Sequence, residues 1–463
     1  MHQVNRSSAR RHVESLRNDP QRLFAGLLDP TRVQQVLDQE HARWRDGGVF
    51  SPAITLWTFL GQVLCPDHSC RAAVARLIAA LVARGEAPCS AETGAYCKAR
   101  QRLPCGVLSR LTQETARTLE ATADNRWLFQ GRPVRLVDGT TVSMPDTTKN
   151  QRAFPQNPAQ KPGLGFPIAR LVAILSLATG VVLDLAIGPY LGKQTGEPAL
   201  FRALWDTLVA GDIVLGDRCF SSFFGIAPLL ERGVDGLFRM HQRRKVDFRR
   251  GRRLGVLDHV VFWPKPARPD WMDQATYDQF PARIAVREVR IKIEQAGFRV
   301  EELVLVTTLL DPVVFTQDDL ADLYRKRWEI ELDLRSIKVE MQMDVLRCKT
   351  PEMVEKEIWA HLLGYNLVRS EMAEAARQAA LKPRRLSFQG AVQTIRAFET
   401  VLRDSRGIRR TELEEARQQA IASHRVGHRP GRCEPRANKR RPKQQRLLTT
   451  PRSEARKLLL QAK

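Results

Sequence analysis

The chain has 463 residues, enough for more than one domain and for a large core. It carries 74 Lys and Arg against 51 Asp and Glu, a net charge of +23, which favours a polyanionic partner such as DNA or RNA. The polar, basic start from Met1 to Asp19 speaks against a signal peptide, and the most apolar span, Leu171 to Gly192, is broken by Gly180 and Asp184, so no membrane segment is expected.

The eight Cys are scattered and form no Cys-x2-Cys pair. Cys65, His68 and Cys70 lie close together but lack the second half of a zinc site, and unpaired thiols fit a reducing cytoplasm. Residues 1–125 read as mostly helical. Leu56, Phe59, Leu60, Val63 and Leu64 recur at helical spacing, as do Val74, Leu77, Ile78, Leu81 and Val82, with a break at Pro66-Asp67-His68. The basic stretch Ala95 to Arg102 reads equally well as a helix lying along DNA or as an ordinary surface helix. This region is expected to read a DNA end, although no helix-turn-helix signature stands out.

From Arg132 the period changes to that of strands. Val134 to Asp138 reads as a short strand ending on a carboxylate and entering a turn at Gly139-Thr140-Thr141. Ala169 to Ala178 and Val181 to Ile187 form a hairpin, Glu197 to Val209 a helix, and Asp212 to Asp217 a buried strand that also ends on a carboxylate. Ser221 to Arg232 is helical and Gly236 to Met240 is a fifth strand. Strand, strand, strand, helix, strand, helix, strand is the order of a ribonuclease H-like mixed α/β sheet. The expected layout is a helical DNA-end-binding domain at 1–125 and a first core segment at 130–241. A β-rich insertion at 242–301, a last core segment with a Glu-bearing helix at 302–375, and a C-terminal helical region with a basic tail at 376–463 complete it.

The insertion crowds Arg243, Arg244, Lys245, Arg249, Arg250, Arg252 and Arg253, then Pro264, Pro266 and Pro269 with Trp263 and Trp271. Alternating Arg and Lys in Val286 to Ile293 reads equally as a phosphate-tracking or a plain solvated strand face. From Ile421 the tail has 13 Lys and Arg against Glu434 and Glu454, and is expected to be an arm that orders on a polyanion.

The stretch Tyr324 to Lys338 lacks Gly and Pro and is predicted helical. At about 100° per residue Tyr324, Arg327, Glu331 and Lys338 fall within an arc of about 60°, a carboxylate flanked by two cations and a phenol. Trp328 is expected to pack in the core. Asp138 and Asp217 would meet at one sheet edge if their strands are neighbours, with Glu331 brought over them. Three acids around one cleft suit two Mg²⁺ ions, one activating water or a 3′-hydroxyl and one stabilising the leaving oxygen. Asp146, Asp184 and Asp212 are rival strand or loop acids. Glu329 and Asp333 are rivals on the helix, each about 160° from Glu331.

Tyr324-x2-Arg327-x3-Glu331-x6-Lys338, with Leu136-Val-Asp138-Gly-Thr and Leu215-Gly-Asp217-Arg upstream, resembles the signature of bacterial insertion-sequence DDE transposases of the insertion-sequence-four group. The resemblance implies Mg²⁺-dependent cleavage at transposon ends and strand transfer into target DNA. Asp138, Asp217 and Glu331 would be catalytic metal ligands, with Mn²⁺ able to replace Mg²⁺, and Tyr324, Arg327 and Lys338 would contact DNA. It further implies a synaptic homodimer on terminal inverted repeats, a nucleoid-associated cytoplasmic protein, and a hairpin intermediate with a flipped base on an aromatic residue. Glu302-Leu303-Val304 offers no aromatic where a relative has Trp, which leaves Trp263, Trp271 and Phe298 as alternatives.

Overall fold

A computed structural model describes residues 24, 27–42, 48–292, 302–403, 405–427 and 447–461. The chain forms two units. One draws on Met1–Trp127, Ala178–Leu183 and Asp333–Val426, the other on Leu128–Leu177, Asp184–Leu332 and Gly427–Lys463.

The second unit is built on one mixed sheet. In chain order its strands are β1 Val134–Ser143, β2 Ile168–Ser176, β3 Val182–Pro189, β4 Ile213–Gly216, β5 Asp235–Arg239, β6 Arg252–Gly255, β7 Asp258–Pro264, β8 Arg283–Lys292 and β9 Glu302–Thr307. Across the sheet they run β3-β2-β1-β4-β5-β9-β8-β7-β6. β1, β4 and β5 are parallel neighbours, and the central β4, Ile-Val-Leu-Gly, is buried along its whole length as a strand covered on both faces should be. β2 joins β1 antiparallel, and β9 joins β5 antiparallel. The helices Glu197–Arg202 and Phe223–Glu231 follow β3 and β4, matching the element order expected from the sequence. The strands of the insertion do not form a separate sheet. β8 pairs along β9 from Arg287↔Thr307 to Lys292↔Glu302, then β7 and β6 follow. A β9 left at the edge would present a row of unpaired peptide groups, and β8 satisfies them.

Two strand expectations change. β1 runs on to Ser143, so Gly139-Thr140-Thr141 is strand and not turn. The reason lies in pairing: its ladder to β4 stops at Leu136↔Leu215, while its ladder to β2 continues to Ser143↔Ile168. In β8, Arg287 faces the interior, buried against Asp258 with Nη2 2.5 Å from Oδ2, so no continuous row of cations lines that strand. All seven basic residues between Arg243 and Arg253 are exposed.

The first unit is helical. Pro52–Leu64 and Cys105–Ala121 pack with the long helix Pro351–Gln378, whose residues from Val354 to Ala376 are almost wholly buried, and Cys70–Val82 and Gly94–Arg102 pack against Pro52–Leu64. Ser51, Ser69 and Thr350 cap three of these helices by accepting from the N–H three residues on. Arg100 is buried: it donates to Gln62 Oε1 at 3.3 Å and lies over the rings of Phe59 and Tyr96. That removes it from any DNA-facing surface of the helix. Asp333 is buried between the guanidinium groups of Arg369 and Arg384. Among the described residues no helix is long and apolar enough to cross a membrane. Most of the basic tail, 428–446, lies outside the described residues, as does Phe298.

Candidate active site

The helix predicted over Tyr324 to Lys338 is broken. Gln317–Arg325 ends at Lys326, Trp328–Arg335 comes next, and Ser336–Glu340 closes in a π-helical turn that holds Lys338. At the junction, Lys326, Arg327, Glu329 and Ile330 each donate to the carbonyl three residues back. Such 3₁₀ bonding advances about 120° per residue and rotates the next helix about its axis. Trp328 is therefore turned to solvent, 41% exposed, rather than packed in the core. Tyr324 is buried and next to Arg327, and burial pushes its phenol pKa up. Lys338 lies in the first unit, the other five predicted site residues in the second.

In the second unit, Asp138 and Asp217 each stand two residues beyond the paired Leu136↔Leu215, where the parallel strands β1 and β4 part. The mouth beyond the carboxyl ends of parallel strands is the usual place for a site in such a sheet. Asp138 Oδ1 accepts from the Gly139 N–H at 2.8 Å. Asp217 caps a 3₁₀ turn, Arg218–Phe220, accepting from the Arg218 N–H at 2.7 Å. Arg327 joins two of the acids: its Nη2 donates to Glu331 Oε1 at 2.8 Å, and its Nη1 is 3.5 Å from Asp138 Oδ2. Burial raises the Asp138 carboxyl to about 6. Its Gly139 hydrogen bond and Arg327 oppose the rise, and Glu197 and Glu331 add to it.

A fourth carboxylate, Glu197, opens the helix after β3. A side chain on Gly139 would place Cβ 2.4 Å from Glu197 Oε1, and the Cys219 thiol donates to Glu197 Oε2 at 3.6 Å. Burial pushes the Cys219 thiol up, and the charges of Glu197, Asp217 and Asp138 add to that rise. Sequence reasoning alone does not single out Glu197. The one local signal is the glycine after Asp138, which leaves room for it.

The rival acids are occupied elsewhere. Asp184 accepts from Thr207 Oγ1 at 2.7 Å, Asp212 is buried with Arg135 Nε at 2.9 Å, and Asp146 accepts from Gln151 Nε2 at 2.8 Å. Asp333 is held by Arg369 and Arg384, as described above. Among the described residues no three His, Cys, Asp or Glu side chains converge closely enough to hold a metal ion as they stand. The donor set is nonetheless all carboxylate oxygen, the chemistry that hard divalent ions take. A guanidinium now neutralises two of the acids.

Beside the Asp217 segment is a cavity of about 620 Å³, lined by Phe201, Arg202, Arg218, Phe224, Arg244 and Trp271 among others. The Arg202 guanidinium is 3.8 Å from the Trp271 ring centroid. Trp263, in contrast, is buried, and its indole N–H donates to Glu288 Oε1 at 2.9 Å.

The sequence family described as the transposase DDE domain matches residues 129–367, a span that takes in all six of these predicted site residues. The Escherichia coli K12 transposase InsG of insertion sequence element IS4 is 29% identical over 384 residues, 81% of this chain and 82% of that protein. The putative transposase InsL of IS186A, from the same strain, is 38% identical over 65 residues, 14% of this chain and 18% of that protein. Among solved structures, a piggyBac transposase synaptic complex with hairpin DNA is similar with a TM-score of 0.42 and 9% identity, covering 88% of this chain and 87% of that one. DDE transposases act on DNA and generally use divalent metal ions. The chain belongs to the transposase DDE domain family and is a DNA transposase of the insertion-sequence-four group.

Proposed function

We propose that this transposase cuts at the inverted repeats of its element and joins the freed 3′-hydroxyl to target DNA, on a ribonuclease H-like core. Asp138, Asp217 and Glu331 would hold two Mg²⁺ ions, or Mn²⁺ in their place. When bound, such ions lower the pKa of the attacking water or hydroxyl and neutralise charge on the leaving oxygen. The observation that carries the reading is the placement of Asp138 and Asp217 at equivalent positions beyond Leu136↔Leu215, with Arg327 tying Asp138 to Glu331.

The protein's own groups have separable tasks. Arg327, which joins Asp138 and Glu331, would turn to a phosphate oxygen when the acids take up cations, and Lys338 would contact DNA. Tyr324, expected from the sequence to contact DNA, is buried beside Arg327 and would instead orient that guanidinium. Trp271 is the aromatic residue that best suits a flipped base in a hairpin step. It lines an open cavity with Arg202, Arg218 and Arg244, whereas Trp263 is locked to Glu288. The N-terminal helical region would read the transposon end, the basic tail would bind DNA or support dimerisation, and two copies would act together in the synaptic complex.

A joining assay with a pre-cut 3′-hydroxyl end tests the reading. The protein should join that end to a target plasmid only with a divalent ion present, and Asp217→Asn should not. Cutting without joining would assign a nuclease on the same core instead.

A further inference from the structure

We infer that Glu197 is a fourth carboxylate of the metal site, an assignment that rests on the reading above. Four observations meet on this residue. First, its carboxylate lies directly on the Gly139 backbone: a Cβ there would be 2.4 Å from Oε1 and 2.5 Å from Cδ. Gly139 is not in the left-handed region, so the strand does not need glycine for its backbone; it is the approach of Glu197 that leaves no room for a side chain. Second, Asp138 bends along the strand to accept from the Gly139 N–H at 2.8 Å, which carries its carboxyl toward the glycine that Glu197 covers. Third, Glu197 Oε2 accepts from Cys219, two residues after Asp217, so Glu197 spans the segments of both aspartates.

Fourth, no cation pairs with Glu197 among the described residues, in a chain with 74 Lys and Arg. Arg327 is committed to Asp138 and Glu331. Carboxylates close together in a partly buried site repel, and the repulsion is relieved by a cation rather than by solvent alone. An acid in the first turn of a helix is common because the helix dipole favours it. That explanation accounts for an acid at the start of Glu197–Arg202 but not for its extension across the strand to Gly139. A hard divalent ion takes oxygen ligands, and Glu197 would add a further carboxylate oxygen beside those of Asp138, Asp217 and Glu331.

The test uses the full chain and Mn²⁺ alone, with no DNA. Binding is followed by the electron paramagnetic resonance signal of free Mn²⁺, and thermal unfolding is recorded in chelator. Glu197→Gln keeps the shape and removes the charge. Gly139→Ala touches no acid but pushes the Glu197 carboxylate aside. Each should weaken Mn²⁺ binding by about tenfold or more, on the scale of lost metal-supporting groups. In chelator, Glu197→Gln should unfold at the same temperature as wild type or higher, since a repulsion is gone; a merely structural Glu197 would give a lower one. Wild-type Mn²⁺ affinity in Glu197→Gln, with affinity lost in Asp138→Asn, would overturn the inference and leave the site reading standing. Wild-type affinity in both Asp138→Asn and Asp217→Asn would sink the site reading and the inference together. Should Glu197→Gln not fold, Gly139→Ala decides: unchanged Mn²⁺ binding there overturns the assignment.

Discussion

Replacing Asp138 by Asn is expected to stabilise the protein at neutral pH when no divalent ion is present. In the folded chain the carboxyl is raised from 3.8 to about 6, first by burial. Each tenfold change in acid strength corresponds to about 1.4 kcal/mol, so the ionised group costs the fold about 3 kcal/mol at most. The side chain is 20% exposed, and solvent screening trims this to about 2 kcal/mol. A raised carboxyl is a penalty that is absent below the unfolded value, grows as pH climbs from about 4 to about 6, and is complete above that. The Gly139 and Arg327 contacts already enter that balance, so their loss adds nothing further. At about 2–4 °C per kcal/mol for a domain of this size, Asp138→Asn should melt about 4–8 °C higher than wild type at pH 8 in chelator. At pH 4 the two should converge. Saturating Mn²⁺ should reverse the order, because it stabilises the wild type and not the variant. Thermal unfolding by circular dichroism at both pH values decides. An Asn variant that melts no higher at pH 8, or that differs equally at both pH values, refutes the reasoning.

Three further outcomes are expected. Trp271→Ala should leave thermal stability near wild type yet slow formation or opening of hairpin ends on an end-labelled substrate; normal hairpin turnover would reject Trp271 as the base-holding residue. Trp263→Ala should instead lower stability by about 3–5 kcal/mol in urea titration, since it empties a buried site and takes the indole partner from Glu288 Oε1, leaving only the His259 contact at Oε2. Asp333→Ala should cost about 3–5 kcal/mol because the buried Arg369 and the half-buried Arg384 would lose the carboxylate they share; a loss below about 1 kcal/mol would show that the helical unit tolerates its removal.

Much of the fold was legible because period and order are local. The change from helical to strand spacing at Arg132, the hairpin around Gly180 and the two Asp segments all arise from neighbours in sequence. Gly180 itself has φ near +81°, as the tight turn demands. The features that were not legible depend on partners distant in sequence. The length of β1 is set by β2 and not by its own residues, so Asp138 sits within a strand and not at its end. Arg100 and Arg287 read as surface cations, yet Gln62 and Asp258 hold them inside. The break at Lys326 comes from a few shortened hydrogen bonds in a sequence of good helix formers, and it moved Trp328 to the surface. Glu197 carried no motif at all; only the fold brings it to Gly139.

Asp138, Asp217 and Glu331 are proposed to form one catalytic unit on DNA. End cleavage by Asp138→Asn, Asp217→Asn and Glu331→Gln, measured beside binding of the same inverted-repeat DNA, tests this most directly. The expected result is wild-type binding with Mg²⁺-dependent cleavage lost in all three. Cleavage retained at the wild-type rate by any one of them would contradict the assignment.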